Sequence, residues 1–570
     1  MGGSSSLTLS LANSSAQVFQ GQGSVTVNAT LARTGTTGNV TLAVTGLPQG
    51  ATDTIQSPGS GNSGSIIFSA GTGAAAGTYS LTITASDGTN SAQTELSLTI
   101  GAVAVISSTP SGQFSVAMST SFQPAEWDNQ FFTLNPSATT TLGNLNPHHI
   151  RLQGISQGVP QGSEGTSDTT WNFTILDDIT QPVLSVGDHS PEFQIAKAPA
   201  FMYVNDDSSQ SFSSTTDFSA FATYAQNLVK YYNKGGFTVG NTLYGSPGYV
   251  SNGYTIIYWA IYNEPSINNS VTATEYTTMY NTLVPAMQTI DSSLKFVAME
   301  LCCSSEDWLQ TFAPNVTAQV DVVASHYYAS CNQKDTDEML MDAVPGFVSS
   351  VQLIRTNLSN TPLASVPIWV TENNVNADYA NANGDSTCNP GQAFVTDVRG
   401  SSPFLAAWRP YVFSQLGKAG VQALYHWDFG ADKQYGEVDY DTGAYQLSYW
   451  VDYWLGQIFP PAAGSQLLTY TATDDAELET LPVVNNDKSV VIMVSNHAVN
   501  DPATDNNGPG APRTVLVDVS ALGTFSSGSL MIIDENTNVT SGPTATSATP
   551  ASQMTITLDG YDVAFLTLKP

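Results

Sequence analysis

Two carboxylates close apolar runs in this sequence. Glu264 ends the stretch IIYWAIYNEP (256–265), and Glu372 ends IWVTE within IWVTENN (368–374), 108 positions further on. Either one alone has an ordinary explanation, because a Glu-Pro after a strand can open a helix with Pro at its first position and Glu near the positive end of the dipole. As a pair they can do more. One carboxyl can protonate the leaving oxygen of an acetal while the other attacks the carbon or activates a water. The acid then needs a raised pKa, which Tyr258, Trp259 and Tyr262 are expected to supply by desolvation, whereas the nucleophile must stay ionised and needs donors nearby.

Candidate donors lie elsewhere in the chain. In HHIRLQG (148–154), His149 and Arg151 alternate and therefore share one face of a strand, with His148 on the other. A buried guanidinium normally needs a carboxylate partner, so Arg151 is expected to pair with Glu372. For His149, substrate contact and a satisfied core histidine both stay open. His326 and Tyr328 share a face in SHYY (325–328) in the same way. Glu300, at the end of KFVAME, is a third carboxylate at the same level, with a site role and a core role both open. Glu126, Trp127 and Asp128 follow the first strand and could line a mouth, although a solvated loop is the plainer reading.

Such residues need a frame that brings distant strand ends together. Eight candidate strands run through the middle of the chain: FSVAM (114–118), HIRLQG (149–154), APAFMYV (198–204), IIYWAIYN (256–263), KFVAME (295–300), VDVVASHYY (320–328), PIWVTEN (367–373) and ALYHWDF (423–429). Helix-like stretches alternate with them, such as 217–236 with Asp217 as N-cap and Gly235 as stop, and 272–291. This alternation predicts a (β/α)8 barrel over 113–456, whose strand carboxyl ends face the active-site mouth and carry both glutamates. A doubly wound sheet fits less well, since no Gly-rich phosphate loop follows the first strand. Residues 1–104 alternate in short Ser/Thr/Val runs separated by turns and predict a β-sandwich, immunoglobulin-like in architecture, that serves as spacer or adhesion module. Residues 105–112 read as a linker, and 457–570 as a second β-sandwich.

With Asn-Glu-Pro ending strand four and Thr-Glu-Asn ending strand seven, the chain resembles the retaining barrel glycosidases. Within that clan it resembles glycoside hydrolase family 39, through WNFTILDDITQPVL, FATYAQNLVKYYNKGGF, YWAIYNEPSINN, TIDSSLKFVAME, VDVVASHYY and IWVTENN. The resemblance covers most of 112–430 and leaves the N-terminal sandwich outside. It implies Glu264 as acid/base, Glu372 as nucleophile, and a covalent glycosyl-enzyme formed on β-glycosidic bonds of oligo- or polysaccharides. It further implies that Tyr328 donates to the nucleophile and that His326 belongs to the site. Asn263 would bind the sugar 2-hydroxyl, and Trp427 would stack on the sugar, against a plainer reading as a core aromatic. The segment AMELCC (298–303) departs from the Gly-Gly-Pro expected of the family at this point. A non-catalytic carbohydrate-binding or adhesion protein on the same scaffold is the competing reading, against which the two intact motifs speak.

The bulk properties narrow the partners. Fifteen Lys and Arg stand against 47 Asp and Glu, a formal net charge of -32, which repels nucleic acid and anionic membranes. No run of 18 apolar residues exists, so no membrane insertion is expected. The opening MGGSSSLTLS lacks a basic and an apolar region and reads as standing where a signal peptide has been removed, which with the charge predicts an extracellular protein working at mildly acidic pH. The cysteines are Cys302, Cys303, Cys331 and Cys388. Adjacent cysteines bond each other only with strain, so a bridge from that pair is expected to reach Cys331 or Cys388. No C-x-x-C or His/Asp ligand cluster is present, and neither metal nor cofactor is expected. The long segment 375–402 after strand seven is a candidate lid or subsite loop pinned by Cys388.

Overall fold

The computed structural model describes residues 5–122, 130–153, 161, 170–186, 191–207, 209–267, 271–302 and 305–570. Eight parallel strands close into a barrel in chain order: β1 (Ala117–Phe122), β2 (Ile150–Gln153), β3 (Glu192–Ile195), β4 (Tyr258–Ile261), β5 (Lys295–Cys302), β6 (Val322–Ser330), β7 (Ile368–Asn376) and β8 (Ala423–His426), which pairs back to β1. Helices α1 (Ser219–Lys234), α2 (Ala273–Gln288), α3 (Pro403–Lys418) and α4 (Leu447–Ile458) are among those around it. Thr272 caps α2 in a reciprocal box with Glu275. Gly235, at φ 87°, ends α1 in the left-handed region open to glycine. Asp217 sits one residue ahead of the α1 N-cap position, at Phe218, and accepts the N–H of Ser219 at 2.9 Å.

Strand three differs from expectation. APAFMYV (198–204) leads into two short 3-10 turns after Pro199, Ala200–Met202 and Val204–Asp206, and the wall is built by the earlier EFQI (192–195). Glu192 and Gln194 point into the barrel while Phe193 packs outward on Trp259, so the inward residues are polar and the segment carries no hydrophobic signature. The first strand also starts later than FSVAM, because Phe114 belongs to a ring cluster with Phe413 and Phe459 outside the wall.

The expected linker is also corrected. Residues 105–112 lie inside one 23-residue strand, Ser91–Gln113. Its first half pairs with Gly77–Ser86 and Ser15–Phe19 of the N-terminal sandwich, and its second half with Gln466–Ala472 and Arg513–Asp518 of the C-terminal one. Pro110, which has no N–H to give, is accommodated where the register against Leu467–Tyr470 slips. The N-terminal sandwich closes two sheets on Leu9, Val27, Phe68, Ile83, Leu96 and Leu98. The C-terminal sheet packs against α3, where Gln415 donates to Glu479 at 2.7 Å and Lys418 pairs with the same carboxylate.

Gly101 sits where the two sandwiches share that strand. A Cβ there would lie 2.6 Å from the Phe19 ring and 3.0 Å from the Thr514 carbonyl oxygen. Gly101→Val is therefore expected to cost about 1–3 kcal/mol by overpacking. Urea unfolding measures it, and an unchanged midpoint would show that the sandwiches are not locked through this strand.

Candidate active site

The barrel interior has two storeys. The lower one is apolar, with Ala117, Val297, Ala324, Trp369, Ala423 and Tyr425. His149 belongs to it, its ring 4.5 Å from Trp369 and stacked on Tyr425, which makes it a core histidine and corrects the substrate-contact reading. Alternation along β2 lifts Arg151 into the storey above. There the fully buried guanidinium places Nη2 2.6 Å from Glu300, Nη1 3.0 Å from Glu372 and Nε 3.8 Å from Glu192. Burial works against its charge, but the charges of Glu300 and Glu372 foremost outweigh burial and raise its pKa further.

His326 is the second hub. Its Nδ1 lies 2.8 Å from Glu264 Oε1 and 3.5 Å from Glu372 Oε2, and its Nε2 lies 2.9 Å from Glu300 Oε2. With a carboxylate facing each nitrogen, the ring is an imidazolium that donates from both sides. Burial lowers its pKa, yet Glu372, Glu264 and Glu300 together lift it to about 10. Glu300 responds in the opposite sense: burial raises it, while Arg151 and His326 hold it down to about 2. Burial and the charge of Glu300 push Glu192 up to about 8, so of these two buried carboxyls Glu192 keeps its proton and Glu300 carries the charge. At Glu372 burial raises the pKa and the charges of His326 and Arg151 pull it back, while Tyr328 Oη donates to Oε2 at 2.8 Å.

The backbone bends to deliver these groups. Tyr262, Glu264, Met299 and Glu300 all have φ between 42° and 79°, the left-handed region that side chains rarely adopt. Such residues cost about 1–3 kcal/mol each and persist only where their surroundings over-determine them. A bulge between Ala298 and Leu301 turns Glu300 inward, and the Glu264 N–H donates to the Glu300 carbonyl at 3.1 Å. The two carboxylate-bearing residues are thus joined through their main chains.

The structure gathers Glu264, Glu372, Asn263, Arg151, His326, Tyr328 and Trp427 at one end of the barrel. The amide oxygen of Asn263 accepts from Gln194 at 2.8 Å and Arg151 at 3.3 Å, which turns its NH2 group the other way. Trp427 is half-buried, its ring centre 5.9 Å from the Arg151 guanidinium carbon. The expected aromatic collar around Glu264 is not how the site is built. Tyr258 packs below on Trp369, Trp259 packs outward on Phe193, and Tyr262 packs on Phe212, while His326 holds the carboxylate. Glu126, Trp127 and Asp128 lie outside the described residues. Sequence reasoning missed Glu192 and Gln194; their alternation with Phe193 and Ile195 in PEFQIAK (191–197) was the available signal.

Oxygen and nitrogen atoms of Glu264, His326 and Glu372 lie within 4.8 Å of one another, as do those of His426, Glu437 and Asp452. Either set has the donor types for a cation. In the first, the ring hydrogens of His326 account for the spacing. In the second, Asp452 is already met by Arg409 at 3.0 Å and His426 at 2.8 Å.

The rim loops are tied down. The bridge runs Cys331–Cys388, joining the loops after β6 and β7, and not to Cys302 or Cys303 as expected of the adjacent pair. It pins the 375–402 segment, whose buried Arg399 pairs with Asp397 at 2.7 Å and Asp337 at 3.2 Å. Asp337 also accepts the N–H groups of Asn507 and Gly508 from the C-terminal sandwich, at 2.7 and 2.8 Å.

A closed parallel barrel with paired carboxylates past β4 and on β7 defines the class: this is a glycoside hydrolase. Residues 252–399, which contain both glutamates, match the family model described as glycosyl hydrolase catalytic core. None of the curated protein sequences matches the chain. Among solved structures, a monomeric β-xylosidase from Caulobacter crescentus CB15 superposes with a TM-score of 0.58 at 15% identity, over 82% of this chain and 99% of that one. The GH39 enzyme from Xanthomonas axonopodis pv. citri gives 0.55 at 13% over 82% and 97%, and the GH51 arabinofuranosidase from the same organism 0.57 at 12% over 82% and 100%. At these identities the likeness is one of fold, and it agrees with the family 39 resemblance of the motifs.

The His326 pKa gives a prediction with a definite sign. A folded value of about 10 lies above the ordinary 6.5, so the stability it contributes is complete below pH 6.5 and fades as pH rises towards 10. Wild type should lose on the order of a few kcal/mol across that window, and His326→Asn distinctly less. Urea midpoints at each pH report it, and parallel declines in the two proteins would refute the imidazolium.

Proposed function

We propose that the protein is a secreted retaining β-glycosidase that acts on oligo- or polysaccharides of plant or microbial origin. The observation that carries this reading is the approach of one oxygen of Glu264 and one of Glu372 to within 4.8 Å. That approach makes the two carboxyls members of one site, and retention is inferred from the likeness of Asn-Glu-Pro and Thr-Glu-Asn to the retaining barrel glycosidases, whose second carboxylate is the nucleophile. The structural neighbours, a β-xylosidase, a GH39 enzyme and a GH51 arabinofuranosidase, support carbohydrate as substrate.

In the first half-reaction Glu264 gives its proton to the leaving oxygen while Glu372 attacks the anomeric carbon, forming a glycosyl ester. In the second, Glu264 takes a proton from water, the resulting hydroxide attacks the anomeric carbon, and Glu372 departs as carboxylate. Arg151 and Tyr328 stabilise that carboxylate before attack and on release. The NH2 of Asn263, turned away from Gln194 and Arg151, meets the sugar 2-hydroxyl, and Trp427 offers its face to the C–H side of the ring. The net charge of -32 and the Cys331–Cys388 bridge favour an extracellular, oxidising setting.

Glu372→Gln should abolish turnover. Glu264→Ala should lose about 10²–10⁴-fold on substrates with poor leaving groups and far less on dinitrophenyl glycosides. Proton NMR of the first-formed product should show the β-anomer; an α-anomer, or wild-type rates in both variants, would sink the mechanism.

A further inference from the structure

The two-carboxylate scheme leaves Glu300 without a task. It is fully buried, and its Oε2 accepts three donors: Arg151 Nη2 at 2.6 Å, Gln194 Nε2 at 2.9 Å and His326 Nε2 at 2.9 Å. It lies across the imidazole from Glu264, and a bulge with left-handed backbone at Met299 and Glu300 holds it there. Strain of this kind, placed one ring away from an acid/base, is where positioning is expected.

With Glu264 ionised, a neutral imidazole would turn its one lone pair onto a carboxylate oxygen. A charged Glu300 therefore keeps a hydrogen on Nε2, and Glu264 finds a second one on Nδ1. Because that Nδ1–H occupies Oε1 of Glu264, the carboxyl proton has only Oε2 left. We propose that Glu300 is a positioning residue for the acid/base: through His326 it keeps the transferable proton of Glu264 on Oε2, the oxygen the ring does not touch. The inference rests on Glu264 being the acid/base. The charged and titratable groups around the ring are Glu264 past β4, Glu300 on β5, Tyr328 on its own β6 and Glu372 on β7, with Arg151 of β2 and Glu192 of β3 behind Glu300.

Glu300→Gln removes the charge and keeps an acceptor. His326 should then fall by about 1–3 pH units, as expected for losing an opposite charge in contact. Once neutral with Nδ1 bare, the ring draws the Glu264 proton towards itself and away from the leaving group. The alkaline limb of kcat/KM should move to lower pH by a similar amount on alkyl and oligosaccharide substrates. It should stay in place on dinitrophenyl glycosides, which need no acid. A merely structural role would lower both substrate classes alike at every pH, and that outcome overturns the proposal. Nitrogen-15 NMR of the intact chain, with His326 assigned by comparison with folded His326→Asn, reads the ring directly and does not depend on Glu300→Gln folding. An imidazolium in wild type at pH 8 is expected, and a neutral ring there overturns the proposal whatever the activity. An imidazolium in a chain that cleaves no glycoside would instead overturn the functional reading.

Discussion

One buried guanidinium organises the centre of this molecule. Removing an arginine and its partners from water costs several kcal/mol per ion, repaid only when the geometry is close and the remaining hydrogens are satisfied. Arg151 meets the charge part of that condition with Glu300 and Glu372, at 2.6 and 3.0 Å, while its Nε lies 3.8 Å from Glu192 and makes no hydrogen bond among the described residues. The barrel must hold β2, β5 and β7 in register for the charges to balance. His326 adds the second positive charge, and the storey becomes a near-neutral lattice: Arg151 and His326 against Glu300 and Glu372, with Glu192 protonated. Glu264 and Glu372 are therefore the outer members of a network whose inner members, Arg151, Glu192 and Glu300, are fully buried.

That lattice explains where the strain sits. Left-handed residues cluster around Glu264 and Glu300, and register slips occur in β5 and between β6 and β7 at the level of the site. Regular strands would alternate side chains past the centre; the bulges bring extra carboxylates to the same height. Around the rim, the bridge, Arg399 and Asp337 tie the loops to one another and to the C-terminal sandwich. The sandwich thereby acts as a brace for the mouth, and the shared 23-residue strand extends the brace to the N-terminal sandwich.

Much of this is legible in the sequence, and the exceptions have a common cause. Seven of the eight wall segments were located because their outward faces are apolar, and α1 and α2 announced themselves through periodicity and end residues. β3 was displaced onto APAFMYV because Glu192 and Gln194, pointing inward, look like surface residues in a one-dimensional pattern. His149 and Arg151 alternate on one strand, yet one belongs to the apolar storey and the other to the charged one. Residues 105–112 have turn-like composition, and only partners from residues 466–472 give their backbone a ladder.

The sequence by itself determined the barrel, the two glutamates at the ends of β4 and β7, and the likeness to retaining glycosidases, because strand and helix periods and motif residues are local properties. Only the tertiary structure decided that His326, rather than an aromatic collar, holds Glu264, that Glu300 and Glu192 divide one charge between them, and that the cysteine bridge joins the two rim loops. These outcomes depend on which distant strands meet inside the barrel. A buried charge is tolerable only beside its partner, and the partner is chosen by the fold.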